Sequence, residues 1–178
     1  MKRIIITIIL PVIACCAFYA CNCKTAKPTI NGDIITGKWT YRSLLNNKNV
    51  NIDFDSLAFA AATMELKTHG KDSISGTIYW FLDSLNTIKQ GLVLSGTYFY
   101  NDTTTCYFMQ GMGDSALLTT GWQYNYQGYV VPKWPEGVNQ ATVLVGSVVR
   151  VKKHSCDSLG NNCAMPGVVA STYIVKDF

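Results

Sequence analysis

One segment of the chain combines aromatic rings with amides in a way that suits ligand binding. Between Thr120 and Val131, the residues Trp122, Tyr124 and Tyr126 alternate with two glutamines and an asparagine. Successive side chains of a strand point to opposite faces, so the three rings would share one face. Ring faces supply contact area and amides fix orientation, which suits a sugar or a flat polar molecule. The alternative is that the rings pack in a core while the amides face water.

A proline-rich stretch follows this segment and adds two candidate contacts. Pro132, Pro135 and Gly137 would stiffen a long connection that carries Trp134 to a rim, and loops at such positions commonly hold binding residues. The predicted ligand contacts are Trp122, Tyr124, Tyr126, Trp134 and Gln140.

Patterns typical of catalysis are scarce. The two histidines, His69 and His154, stand in no nucleophile or zinc-protease motif. The two glutamates, Glu65 and Glu136, would form an acid/base pair only if the fold brought them to flank one bond. We expect a protein that is not an enzyme and has no cofactor and no resident metal.

Two cysteines near the end of the chain predict a disulfide. Cys156 and Cys163 flank the turn-forming run Gly160-Asn161-Asn162, so a bond between them would close a short loop. Such bonds persist outside the cytoplasm. Two alternatives stay open: both thiols remain free, or they bind a soft metal together with His154.

The first residues have the pattern of an export signal. Lys2 and Arg3 precede an apolar run from Ile4 to Ala20, and Cys21 follows directly. A basic start, an apolar centre and a small residue at the cut are typical of a secretory signal.

The junction Ala20-Cys21 resembles the lipobox of bacterial lipoproteins, in which cleavage exposes a cysteine that receives the lipid. The resemblance implies a signal peptide at residues 1–20 and acyl chains on Cys21. Those chains would hold the protein to a cell-envelope membrane, on its periplasmic or surface face. Ordinary secretion and an uncleaved anchor helix are the alternatives. The apolar run of 17 residues is short of the ~20 that span a bilayer, and Pro11 interrupts it.

Composition limits both the partners and the number of domains. Removal of residues 1–20 leaves 13 of the 15 basic residues against 11 acidic ones, a net charge of +2. Proteins that follow nucleic-acid phosphates need a concentrated basic stripe, so we expect no nucleic-acid partner. The short cluster from Arg150 to His154 is interpreted as a solvated strand end. Residues 21–35 are predicted to be a tether and residues 36–178 one domain.

The predicted domain has the composition of a β protein. Charged residues make up only 15% of the chain, while aromatic, β-branched and glycine residues are plentiful, as in strands and tight turns. Only Ser56 to Glu65 fits a helix as well as a strand. Short polar turns between the candidates indicate an antiparallel meander. The eight predicted strands are Lys38–Leu45, Ala58–Lys67, Ser73–Leu82, Leu92–Asn101, Thr104–Gln110, Thr120–Val131, Ala141–Lys152 and Val168–Lys176.

Two short motifs resemble the calycins, the group that includes avidins and lipocalins. Gly37-Lys38-Trp39 is similar to the Gly-x-Trp of their first strand, and Gly96-Thr97-Tyr98 to a later avidin strand. The resemblance implies an eight-stranded barrel with the indole across one end, but no ligand contacts. The segments Ser75-Gly76-Thr77 and Ser95-Gly96-Thr97 are also alike and are predicted to be neighbouring strands. A closed barrel removes exposed sheet edges and can hold one small ligand; a β-sandwich is the alternative.

Six of the nine aspartates precede a Ser or Thr that is followed by an apolar residue or Thr. The triplet resembles an O-glycosylation consensus of exported proteins in one Gram-negative phylum. Turn formation explains it equally well, because Asp and Ser side chains cap turns. The triplets begin at Asp55, Asp72, Asp83, Asp102, Asp114 and Asp157.

These observations predict a lipid-anchored, extracytoplasmic β-barrel that binds a small molecule or a glycan without catalysis. The alternative is a structural or interaction subunit of a cell-envelope complex.

Overall fold

The protein is an all-β structure in a computed structural model that describes residues 34–101, 104–132 and 141–177. A short 3₁₀ helix, Phe54–Leu57, leads into the second strand. Ser56 to Glu65 thus divides between the end of this helix and a strand. No helix in the described ranges is long and apolar enough to cross a bilayer. The strands are β1 Gly37–Leu45, β2 Ala58–His69, β3 Ser73–Phe81, β4 Lys89–Asn101, β5 Thr104–Gly113, β6 Gln123–Val131, β7 Val143–Arg150 and β8 Val169–Lys176.

The eight strands form one closed barrel in which every strand is antiparallel to both of its neighbours. β8 returns to β1, where Tyr41 pairs with Ile174, so no sheet edge is left open. The prediction of a single antiparallel meander closed into a barrel is confirmed, and the architecture fits a calycin-like barrel. The β-sandwich alternative is wrong, because the hydrogen-bonded ring closes.

Period-two alternation explains why the strands lie where the sequence predicts. On β6, Tyr124, Tyr126 and Val130 are buried inside the barrel, whereas Gln127 between them is exposed. The boundaries shift by a few residues, since β4 begins at Lys89 and β6 begins at Gln123.

The two similar Ser-Gly-Thr segments pair directly, with Ser75 of β3 opposite Ser95 of β4. Their glycines allow close approach of the next strand on either side. A Cβ on Gly76 would lie 2.0 Å from the carbonyl oxygen of Glu65. Larger residues at this position would force the strands apart, so glycine is needed where the barrel wall curves.

One end of the barrel is packed with side chains. Trp39 lies there, fully buried, and its indole N–H donates to the carbonyl of Ile35 at 3.0 Å. The Lys176 ammonium stands over the indole ring, 5.3 Å from its centroid. We call this the filled end, and the opposite end the open end. Further fully buried side chains in the barrel interior are Met64, Leu66, Leu94, Met109, Leu144 and Ile174.

Aspartates of the repeated triplet cap turns between strands. The Asp83 carboxylate accepts hydrogen bonds from the backbone of Thr87 at 2.9 Å and of Ile88 at 2.8 Å. Asp114 and Asp157 accept in the same way from residues two further along. Turn chemistry therefore accounts for these three aspartates, and glycosylation of the following serines stays a prediction.

Candidate functional site

A cavity of about 360 Å³ lies inside the open end of the barrel. Its volume falls at the lower end of the range typical of small-molecule sites. We call it the chamber. Residues from β1, β2, β3, β4, β6 and β7 line it, together with two residues from loops. These are Tyr41, Phe59, Ala60, Ala61, Ala62, Ile78, Trp80, Leu92, Trp122, Tyr124, Tyr126, Val148, Arg150 and His154.

The chamber exists because the inward side chains of β2 change size along the strand. Met64 and Leu66 fill their half of the barrel, whereas Ala62 and Ala60, two and four residues before Met64, leave space. β1 also shifts register against β2 between Ser43 and Leu44, at the open end. A step from long to short side chains on one strand face thus hollows out one end of the barrel.

Three stacked rings lie at the chamber mouth. The Trp122 indole and the His154 imidazole are 3.9 Å apart between centroids, with planes inclined by 19°. Trp80 continues the stack, 6.1 Å from Trp122 at an inclination of 30°. The Trp80 indole N–H is fixed by Gln90, whose side-chain oxygen accepts it at 3.1 Å. The stack offers a flat ring surface on which a planar group can rest.

The connection between β5 and β6 holds Trp122 in place. Its backbone N–H donates to the carbonyl of Thr119 at 2.9 Å, and its carbonyl accepts from Gly113 at 2.8 Å. The buried Thr119 hydroxyl donates to the carbonyl of Gly91 on β4. These bonds tie the loop to the wall, so Trp122 faces the chamber although it precedes the first residue of β6.

A disulfide-closed loop after β7 positions His154. The Sγ atoms of Cys156 and Cys163 are 2.06 Å apart, a covalent bond at the pair that the sequence predicts. His154 and Ala164 bridge the base of the loop, with N···O distances of 3.2 and 2.8 Å. The disulfide and the bridge between His154 and Ala164 therefore both hold the loop closed. Because both sulfur atoms are in the disulfide, neither cysteine can bind a metal as a thiolate, so the predicted alternative of a metal site is not formed.

Tyr124, Arg150 and His154 form a hydrogen-bonded trio at the chamber wall. The Arg150 Nε–H donates to the Tyr124 hydroxyl oxygen at 3.1 Å, and that hydroxyl lies 2.6 Å from His154 Nε2. His154 Nδ1 lies 2.8 Å from the Ser155 hydroxyl. Burial, reinforced by the Arg150 charge, lowers the pKa of His154 to about 4. A neutral imidazole with its proton on Nδ1 satisfies all three bonds, because Nε2 then accepts from Tyr124.

Deeper in the chamber, two phenols meet edge to face. The rings of Tyr41 and Tyr126 are 6.2 Å apart between centroids and inclined by 77°. Burial raises the pKa of both hydroxyls well above that of an exposed phenol. Both therefore stay neutral across the physiological range and act only through hydrogen bonds and ring contacts.

Trp122, Tyr124 and Tyr126 all line the chamber. Tyr126 is largely core, whereas Trp122 lies at the mouth. Trp134 and Gln140, like Cys21, lie outside the described residues. Two strand residues that flank that stretch, Val131 of β6 and Val143 of β7, pair at the filled end of the barrel.

Sequence reasoning missed Arg150 and His154, which it assigned to a solvated cluster. Lys152 and Lys153 between them are exposed, but Arg150 and His154 face the chamber. Alternation on β7 places Arg150 on the same face as Leu144 and Val148, but the opposite face also carries valines, so the sequence did not show which face is inward. His154 lies after the end of β7, so strand alternation says nothing about it, and its position depends on the disulfide-closed loop.

Comparison with known protein families, curated proteins and solved structures finds no match. The class of protein therefore rests on its own geometry. It is a closed, eight-stranded antiparallel barrel with one end filled by side chains and a chamber at the other.

Proposed function

We propose that this chain is a lipid-anchored, extracytoplasmic barrel that binds a small molecule or sugar without changing it chemically. The observation that carries the proposal is the chamber itself, about 360 Å³ in volume and bordered by stacked rings. Mainly apolar walls with a few placed polar groups are typical of small-molecule sites.

The trio at the chamber wall supports binding rather than catalysis. His154 Nε2 already lies in a hydrogen bond with Tyr124, and its low pKa keeps the imidazole neutral. A general base needs a lone pair within reach of the proton that it removes from a substrate. Here that lone pair is engaged within the protein, and the trio holds the wall in one geometry.

Ligand titration followed by tryptophan fluorescence tests the binding proposal. The panel contains monosaccharides and small aromatic compounds. The protein used is the proposed mature form, which begins at Cys21. We expect saturable changes for at least one compound, because Trp80 and Trp122 border the chamber. Trp122→Phe should remove most of the change, whereas the matched variant Trp39→Phe at the filled end should keep it. No saturable response across the panel would contradict the proposal.

The membrane anchor is supported by the Ala20-Cys21 junction in the sequence. Acylation at Cys21 would place the native protein in the membrane fraction and add the mass of its acyl chains to a chain that begins at Cys21. Cys21→Ser should move the protein to the soluble fraction or leave it as an unprocessed precursor. A mature terminus at any other residue would contradict the anchor.

One observation favours the second candidate function, an interaction subunit of a cell-envelope complex. Phe99, Phe108 and Tyr129 lie next to one another on the outer face of β4, β5 and β6 and are 51%, 46% and 47% exposed. Contiguous exposed apolar side chains often mark protein contacts. Phe108→Ser should abolish co-purification of a stoichiometric membrane partner, whereas Phe54→Ser, at an exposed site in the 3₁₀ helix, should not. Unchanged co-purification in both variants would argue against this patch.

A further inference from the structure

The chamber contains one cationic side chain and no carboxylate among the described residues that line it. That cation is the guanidinium of Arg150, at the end of β7. It donates from Nε to Tyr124 at 3.1 Å and from Nη1 to the carbonyl of Met165 at 3.0 Å. A guanidinium carries five N–H donors. Three donors therefore have no acceptor within the part of the chain that the structure describes.

The described groups around Arg150 supply no counter-charge, although the guanidinium is only partly buried. Its guanidinium lies over the Phe59 ring, 5.3 Å from the centroid, and 5.8 Å from the centroid of Tyr124. Ring faces replace part of the hydration that a charge has in water, but they do not supply a counter-charge. Its neighbour His154 adds none, because burial and the Arg150 charge hold its pKa at about 4 and keep it neutral. An anion that enters the chamber would pair with the guanidinium and satisfy its remaining donors.

The other walls define the rest of such a ligand. Ala60, Ala62 and Leu92 offer a short, apolar surface, and the Trp122 ring borders the mouth. A planar apolar body would lie against these groups while its charged end reaches Arg150. The planar fork of a guanidinium matches the two oxygens of a carboxylate. A single cation neutralises one negative charge, which favours a monoanion over a dianion such as a phosphate monoester.

We propose that the chamber selects small, planar monocarboxylates, with the carboxylate on the Arg150 guanidinium and the apolar body between the alanine face of β2 and the ring stack. This inference rests on the proposed function, because it names the ligand class of the same chamber. Cations are repelled by Arg150, and neutral molecules of the same shape leave its charge unpaired.

Isothermal titration calorimetry with three naphthalene probes tests the inference. The probes share one ring body and carry an anionic, a neutral or a cationic head group: 2-naphthoate, 2-naphthamide and 2-naphthylmethylammonium. Charge-assisted hydrogen bonds contribute about 1.5–3 kcal/mol, so 2-naphthoate should bind about tenfold or more tightly than the amide. The ammonium should bind more weakly than either.

Variants assign the preference to one side chain. Arg150→Met should remove the advantage of 2-naphthoate over 2-naphthamide, whereas Arg42→Met, on the exposed outer face of β1, should preserve it. Arg150→Lys keeps the charge without the planar fork and should retain part of the advantage, which covers the case in which the methionine variant does not fold.

The outcomes separate this inference from the proposed function. Equal affinity for the acid and the amide, or a preference that survives in Arg150→Met, overturns the carboxylate inference and leaves a chamber that binds neutral molecules. No binding of any of the three probes to a barrel that keeps its β circular dichroism overturns both.

Discussion

The two ends of this barrel are built from the same eight strands and differ in the size of their inward side chains. At the filled end, the large side chains of Trp39 and Leu66 are fully buried in the barrel interior. At the open end, Ala60 and Ala62 occupy inward positions on the strand that carries Leu66, and the chamber lies against them. The difference teaches that one barrel can keep a packed core at one end and a cavity at the other, and the proposed function would place binding at the open end. Substitutions in the core of the filled end should therefore lower stability most, whereas substitutions of small residues that line the chamber should mainly change binding.

The largest effect is expected at the filled end. Trp39→Ala removes a fully buried indole and its hydrogen bond to Ile35. It should lower the free energy of unfolding by about 3–5 kcal/mol, as is usual for large aromatic side chains in cores. Urea denaturation measures the loss.

Trp122→Ala is the matched variant at the open end. Its indole is only partly buried, so the loss of stability should be less than half as large. Equal losses for the two tryptophans would contradict the division between the ends.

The disulfide should have the next largest effect on stability. Replacing Cys156 and Cys163 together by serine opens a loop whose ends are 7 residues apart in sequence. Loop-closure entropy for so short a loop corresponds to about 2 kcal/mol of stability. The near-ultraviolet circular dichroism of the Trp122 and His154 stack should also weaken, because the loop holds His154.

Reduction of the wild-type protein by a thiol is the control for this variant. It should reproduce both changes, and the double serine variant should not respond to the thiol. A reduced protein with unchanged stability and an unchanged spectrum would show that the conformation of the loop does not depend on the disulfide.

Filling the chamber should weaken binding without loss of stability. Ala62→Leu places a branched side chain into the chamber. Affinity for 2-naphthoate should fall about tenfold, or about 1.4 kcal/mol, while the urea midpoint stays the same or rises. Ala62→Ser changes the volume little and is the size control. Unchanged affinity in the leucine variant would place the ligand elsewhere.

Mild acidification, to about pH 6, should have the smallest effect, through His154. Its pKa is about 4 in the folded barrel and about 6.5 in an unfolded chain. Between these values the unfolded chain binds a proton that the folded barrel does not, so stability falls as pH is lowered through this window. Asp83 acts at lower pH, because hydrogen bonds from Thr87 and Ile88 hold its pKa at about 2.

Urea denaturation at a series of pH values measures this dependence. His154→Gln should flatten the slope between pH 6.5 and 4. A slope that persists in His154→Gln would assign the dependence to other groups.

The sequence predicts the barrel better than the site, for physical reasons. Alternation on β6 is local, so the shared face of Tyr124 and Tyr126 follows from the sequence pattern, whereas both faces of β7 are partly apolar and the pattern does not say which one is inward. The chamber depends on which short and long side chains meet across strands, which requires the register. Ala60 and Ala62 carry no chemical signal of their own.

The stack of three rings at the chamber mouth was harder still to predict. Trp80, Trp122 and His154 come from three separate segments, and two of these are loops. Hydrogen bonds of Thr119 fix the path of the loop that carries Trp122, and the disulfide at Cys156 fixes the path of the loop that carries His154. No periodic pattern in the sequence specifies such paths, so the contact between the rings could not be foreseen.

The indole N–H signals of the tryptophans provide the most direct measurement of the central claim. Nuclear magnetic resonance spectra of the protein, with signals assigned by single Trp→Phe variants, would be recorded during titration with 2-naphthoate. Trp80 and Trp122 should shift in a saturable way, while Trp39, buried at the filled end, should not. A probe that shifts Trp39 but leaves Trp80 and Trp122 unchanged would show that the ligand does not enter the chamber.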